Sequence, residues 1–304
     1  MKHVKERLNE FLWYHAHGDG ECNSIVLHKW AEEHNLNPED KFDLAYFFSS
    51  TYCVESGIIL YGMRDDIRND AYRTAKRMKK ILIFQSDRRW VNIQDRFFKI
   101  LKSWKNTEFK TTSNWWVDNN TLDLNKAIST VENWYYFARF AAFLFVETYS
   151  TLINCKTTNA TIDWKNGDTA TSGLLNLFGY DDFAEEFDQK GTLKLPIDKL
   201  DSLFNQLVEI SVLSGLDANP TKLETSLCAY RKFYKGTRYN GYYLDRMLEE
   251  LVYFKRNYPE YDKITDELYD IRSKCFQHDY LGEYHGWFGV RKELKKLYKE
   301  YGAI

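Results

Sequence analysis

The chain is crowded with aromatic side chains and nearly free of helix breakers: 9 Trp, 22 Tyr and 20 Phe stand beside 4 Pro and 15 Gly in 304 residues. So much ring surface has to be buried, and so few interruptions leave long stretches free to coil, so a packed, helix-rich protein follows. Hydrophobic residues at 44% and charged residues at 28% exclude a disordered or fibrous chain. The length suits one large domain or two modest ones.

Apolar positions recur at helical spacing over 2–15, 24–34, 64–81, 92–104, 123–152, 197–214, 221–235, 241–257 and 288–302. Few segments alternate like strands. Asn37-Pro38-Glu39 and Asn219-Pro220-Thr221 each put proline in a first helical turn, and Gly18, Gly57, Gly179 and Gly302 mark stops. The polar, turn-rich stretch 158–173 predicts a structured loop. The expectation is a mainly α protein, a single compact multi-helix domain over 1–304 with irregular loops, in one lobe or in two that meet near residues 155–180. Segment 134–149 is apolar on nearly all faces and predicts a central buried helix. It is too short to span a membrane comfortably, and Arg139 within it would cost roughly 2.5 to 3.5 kcal/mol in lipid. Buried in protein, Arg139 needs a structural carboxylate or a ligand phosphate as partner.

Five scattered cysteines with no CxxC pair argue against a disulfide framework and a cysteine-rich zinc site. Together with an N-terminus that lacks a signal-peptide core, they predict a cytoplasmic protein with no membrane partner. His15, His17, Asp19, Glu21 and His28 are metal-ligand types close in sequence, but their spacing matches no known metal motif. No Walker loop, GxGxxG, GxSxG or HExxH occurs.

Net charge is -2, so any polyanion must be met locally. Residues 64–110 carry 14 Lys or Arg against 6 Asp or Glu, and 222–246 carry 6 against 2 with five interleaved tyrosines. Basic residues contact phosphates and tyrosine rings stack on unpaired bases, which suits a nucleic acid; the alternative is a solvated helix face over buried rings. Within ILIFQSDRRWVN (81–92), Arg88 and Arg89 can hold phosphate oxygens beside Asp87, or Ser86 and Asp87 can simply cap a helix. In TSLCAYRKFYKGTRYNGYYLDR (225–246), Cys228 and Lys232 share a helix face. They can act as nucleophile and acid or base, because nearby cations lower a thiol's pKa, or Cys228 can be a small buried hydrophobe.

The segments IFQSDRRWV, FARFAAFLFVE and ETSLCAYRKFYKGTRYNGYYLDR, in that order, resemble the amino acid:DNA transferase family of bacteriophages, of the type that makes α-glutamyl- and putrescinylthymine. The resemblance runs from HGDGE (17–21) through YFFSSTYCVESG to the aromatic helices beyond residue 240, and its most specific marks include Gln85, Asp87, Arg88, Trp90, Thr225, Cys228, Tyr230, Lys232, Gly241, Tyr242, Tyr243, Asp245 and Arg246. It implies an enzyme of thymine hypermodification, in which an amine or amino acid displaces pyrophosphate from activated 5-hydroxymethyluracil in DNA. On that reading Asp87, Arg88, Lys232, Asp245 and Cys228 are candidates for the chemistry, with Asp87 or Asp245 taking the amine's proton. Gln85, Arg89, Trp90, Arg139, Tyr230, Arg238, Tyr242, Tyr243 and Arg246 are candidates for binding the base and pyrophosphate, with or without a divalent cation such as Mg²⁺. A second route has Cys228 add to C6 of the uracil before the amine attacks.

Lys76, Arg77, Lys79 and Lys80, a charge-dense helix end, are expected on the DNA backbone. No resident metal site and a monomer are expected. Competing classes are a helical DNA glycosylase-like enzyme, which lacks its hairpin clamp here, and a non-enzymatic phage DNA-binding protein. Two further expectations follow: Arg88 and Arg89 lie within reach of 225–246, and the two segments form one cationic pocket.

Overall fold

A computed structural model describes residues 3–92, 95–107, 117–118, 120–158, 162–165 and 167–276, with the side chains of Asp87 and Asp168 outside that description. The elements run α1 (Val4–His17), a 3-10 turn (Asp19–Glu21), α2 (Cys22–Glu33), α3 (Pro38–Thr51), α4 (Val54–Gly62), α5 (Arg64–Met78), a 3-10 segment (Ser86–Asn92) and α6 (Arg96–Trp104). Then follow β1 (Val117–Asp118), β2 (Thr121–Asp123), α7 (Leu124–Val131), α8 (Arg139–Leu152), β3 (Lys156–Thr158), α9 (Asp168–Leu177), α10 (Asp181–Lys190) and α11 (Ile197–Leu213). The rest is α12 (Pro220–Tyr234), α13 (Tyr242–Asn257), a 3-10 turn (Pro259–Tyr261) and α14 (Asp262–Cys275). The fold is a single compact helical domain with one small sheet, β1 antiparallel to β2 and β2 parallel to β3, with Leu122 opposite Thr157.

The aromatic surplus is spent in two apolar cores. The larger is built on α3, whose Phe42 and Leu44 to Phe48 are all fully buried, packed between α4 and α8. Phe42 meets Phe145 edge-on at 5.1 Å and Tyr149 at 5.5 Å. The smaller core joins α1, α9, α11 and α12 around Trp164, Leu174, Leu227 and Tyr230. Both asparagine caps form as expected: Asn37 accepts from the Asp40 amide and Asn219 from the Thr221 amide.

Three expectations change. Gly57 does not stop a helix but lies inside α4, because a Cβ there would stand 2.8 Å from Phe48 Cα; the glycine lets α3 and α4 touch. The helix predicted through 123–152 is broken at 132–138, where Tyr136 has φ 65°. Its carbonyl accepts from Arg88 Nη1 at 3.0 Å, which anchors the reversal. Arg139 therefore begins α8 instead of lying mid-helix, while the buried body of the predicted helix, Ala141 to Leu152, is as expected. The polar stretch 158–173 turns helical from Asp168. The helix over 288–302 and the stop at Gly302 lie outside the described residues.

Candidate functional site

The two cores face each other across a cavity of about 690 Å³. Its walls come from α2, α3 and α8 on one side, α12 and the start of α9 on the other, with residues 85–89 and α13 completing it. The placement of α13 is set by the buried Asp19 carboxylate. It accepts from the amides of Gly241 and Leu244, each at 3.2 Å, and from Tyr14 Oη at 2.9 Å. Gly241 takes φ 86°, which is open to glycine, and the next turn of α13 then turns Tyr242, Tyr243 and Arg246 toward the cavity. The HGDGE segment thus fastens α1 to the start of α13.

On α12, Glu224, Cys228 and Lys232 recur every fourth residue, so one helix face lines the cavity from a carboxylate to an ammonium over about 12 Å. At the basic end Arg238 stacks over Tyr242 (4.4 Å) and Tyr243 (4.8 Å) and donates to Tyr243 Oη. Arg246 donates to Gln85 and, at 3.2 Å, to Tyr242 Oη, while Gln85 Nε2 donates to Glu250 at 2.6 Å. Arg89 closes this end, its Nε on the Ser86 carbonyl at 2.9 Å. Among the described residues Arg89, Lys232 and Arg238 make no ion pair with a carboxylate. Burial, then Arg238, lowers the pKa of Lys232.

The other end is acidic. Glu147 on α8 accepts from Thr225, and Glu21 accepts from Ser226 at 3.4 Å with Lys222 Nζ 3.9 Å away. Arg139, 30% exposed at the start of α8, stands 3.9 Å from Asp163. Burial raises Glu147 to about 8 and Glu21, Glu224 and Glu250 each to about 7. A carboxyl raised in the folded state stabilises the fold while protonated, and that contribution fades as pH climbs from its unfolded value to its folded one. Glu147→Gln is therefore expected to leave Tm nearly unchanged at pH 5 and to raise it at pH 8; equal shifts at both pH values would refute the burial account.

The sequence candidates divide. Gln85, Arg89, Arg139, Cys228, Lys232, Arg238, Tyr242, Tyr243 and Arg246 converge on the cavity. Arg89, but not Arg88, shares a pocket with 225–246: Arg88 is buried, its guanidinium 5.2 Å above the Tyr136 ring. Tyr230 is wholly buried in the smaller core, edge-on to Phe11 at 5.5 Å and donating to Glu10 at 3.3 Å. Asp245 is buried behind the lining and Trp90 is 57% exposed away from it. The side chain of Asp87 lies outside the described residues. Lys232 and Arg231 oppose the shift in the Cys228 thiol, but burial and Glu224 outweigh them and push its pKa up. Glu147, Glu224 and Glu250 were not sequence candidates, because single glutamates on different helices carry no motif, and Glu21 entered only among metal-ligand types whose spacing matches no metal motif.

Among the described residues no group of three His, Cys, Asp or Glu side chains is set to hold a metal ion, and no helix is long and apolar enough to cross a membrane. Fold and site together define a helical domain with a cavity whose two ends carry opposed charge. Comparison with protein-family models, curated proteins and solved structures finds no match to the chain.

Proposed function

We propose that the cavity transfers an amine, from an amino acid or another amine, onto the 5-methylene carbon of pyrophosphate-activated 5-hydroxymethyluracil in DNA, as the amino acid:DNA transferase resemblance implies. The observation that carries this reading is the trio Arg89, Lys232 and Arg238, cations of one cavity that the described residues leave without a carboxylate partner. Unneutralised cations beside tyrosine rings suit an anionic group attached to a planar base. The aromatic wall of Tyr52, Phe140, Phe143, Tyr242 and Tyr243 offers stacking faces for an extruded base, and 690 Å³ accommodates it.

In the reaction the amine nitrogen forms a bond to the methylene carbon while the carbon–oxygen bond to pyrophosphate breaks. The electron pair leaves with the oxygen, where charge accumulates beside the cations. The thiol of Cys228, held protonated by burial, favours direct displacement over thiolate addition to C6. A divalent cation would enter with the pyrophosphate group it neutralises. On this reading the protein works on phage DNA in the host cytoplasm.

The test is nucleoside mass spectrometry after incubating the protein with DNA carrying the activated base and a panel of amines. An amine adduct supports the proposal; base loss means a glycosylase-like enzyme, and unchanged DNA a binding protein. The same DNA tests the backbone track. Lys76 and Arg77 lie in the last turn of α5 and Lys79 and Lys80 just after it, all outside the cavity lining, with Arg77 already 2.8 Å from Asp66. Alanine at Lys76, Lys79 or Lys80 is expected to lower the salt slope of DNA binding by about 0.7 to 0.9 each without changing saturated turnover, and alanine at Arg77 by less. Unchanged slopes would remove this helix end from the interface.

A further inference from the structure

The other buried glutamates of the cavity are engaged: Glu147 by Thr225, Glu21 by Ser226, and Glu250 by Gln85 and Arg246. Glu224 is only 9% exposed, lines the cavity, and has no hydrogen bond or ion pair among the described residues. Arg139, the nearest influence favouring its charge, stands 3.9 Å from Asp163. An unpaired carboxylate in such a place costs the fold stability unless a cationic ligand meets it. We infer that Glu224 binds the ammonium group of the incoming primary amine and takes its proton, making it a catalytic residue of the transfer reaction; the proton-transfer role rests on the function proposed above.

The chemistry balances. The amine arrives as R–NH3⁺, one N–H bond breaks, and the proton passes to a Glu224 oxygen, leaving R–NH2 with the lone pair that attacks the methylene carbon. Pyrophosphate departs with the carbon–oxygen pair at the Lys232 end of the same helix face, so acceptor and leaving-group site lie at opposite ends of one stripe. The product nitrogen and Glu224 then return their protons to water. Burial first, with Asp163 adding, brings Glu224 to about 7, which narrows the gap to an alkylammonium near pH 10 and eases the transfer. The charged and titratable groups around it are Arg139 and Glu147 from α8, Asp163 from the stretch before α9, and Cys228 on its own helix.

The experiment uses the full chain and Glu224→Gln, which removes an unpaired buried charge and is expected to raise Tm at pH 8, so the variant folds. Single-turnover transfer is followed from about pH 6 to about pH 10. Wild type should be flat between about pH 7 and the amine's pKa, because ammonium and carboxylate coexist there. Glu224→Gln should be about 10²-fold slower at pH 7 and gain about tenfold per pH unit, tracking free amine, with DNA affinity unchanged. Glu224→Asp, which keeps the carboxylate, should restore the flat profile.

A variant within about threefold of wild type at pH 7, or one lowered in parallel at every pH, overturns the inference. Ethylammonium chloride should also raise the Tm of wild type more than tetramethylammonium chloride does, and should lose that advantage in Glu224→Gln. If wild type transfers no amine, the proposed function falls, and this second measurement decides the ammonium site: a wild-type-only response upholds it and equal responses overturn it.

Discussion

Alanine at Lys232 is expected to slow single-turnover amine transfer by about 10²-fold or more while DNA affinity changes little. Burial and Arg238 make the free Lys232 ammonium less favourable than it would be in water, so an anion in the cavity relieves the cost and is drawn to it. Charge on the pyrophosphate oxygens grows as the carbon–oxygen bond breaks, so Lys232 acts more strongly on the transition state than on bound DNA. Arg238→Ala should behave similarly, and the double variant should lose less than the product of the two, since both cations serve one leaving group. Inorganic pyrophosphate is expected to raise the Tm of wild type and to do so less for Lys232→Ala. A Lys232→Ala enzyme with near-normal turnover would remove the basic end of α12 from the reaction.

Alanine at Gly173 is expected to be the most damaging small substitution in the fold. Gly173 lies where α9 crosses α12, and a Cβ there would stand 2.3 Å from the Leu227 carbonyl oxygen and 2.9 Å from its carbon. Those atoms are helix backbone and cannot swing aside. Alanine improves helix propensity by about 1 kcal/mol, whereas overpacking two backbones costs about 3 kcal/mol, so the clash decides the sign. Leu227 immediately precedes Cys228, so any displacement of α12 also moves the Glu224 to Lys232 face. Thermal melts of Gly173→Ala should show a loss of several degrees, and amine transfer should fall in the protein that remains folded. A variant as stable as wild type would mean that α9 and α12 separate at little cost.

The amphipathic helices were legible because one apolar stripe and one polar face leave a period in the sequence, as in α1, α12 and α13. Helices α3 and α4 leave no such period because they are buried on nearly every side, and Gly57 reads as a stop until Phe48 is seen against it. Helix α9 hides in small and polar residues, Asp168 to Leu177, chosen for close approach to α12. Helices α10 and α14 lie outside the predicted spans although each has an apolar stripe, Ala184 with Phe187 and Leu268 with Ile271.

For the site, clustered charge pointed to 64–110 and 222–246, because many like charges close in sequence are visible without a structure. Which members face a ligand was not visible. Arg88 and Arg89 are neighbours of the same type, yet one is buried on the Tyr136 carbonyl and the other lines the cavity. Composition and periodicity alone determined a helical, aromatic-packed protein with two basic segments. Tertiary structure alone decided that Glu21, Glu147 and Glu224 gather at one end of a cavity whose other end holds Arg89, Lys232 and Arg238, with Glu250 held there by Gln85 and Arg246. Each glutamate belongs to a different element and to no sequence motif, and the burial that sets its chemistry is supplied by partners distant in the chain.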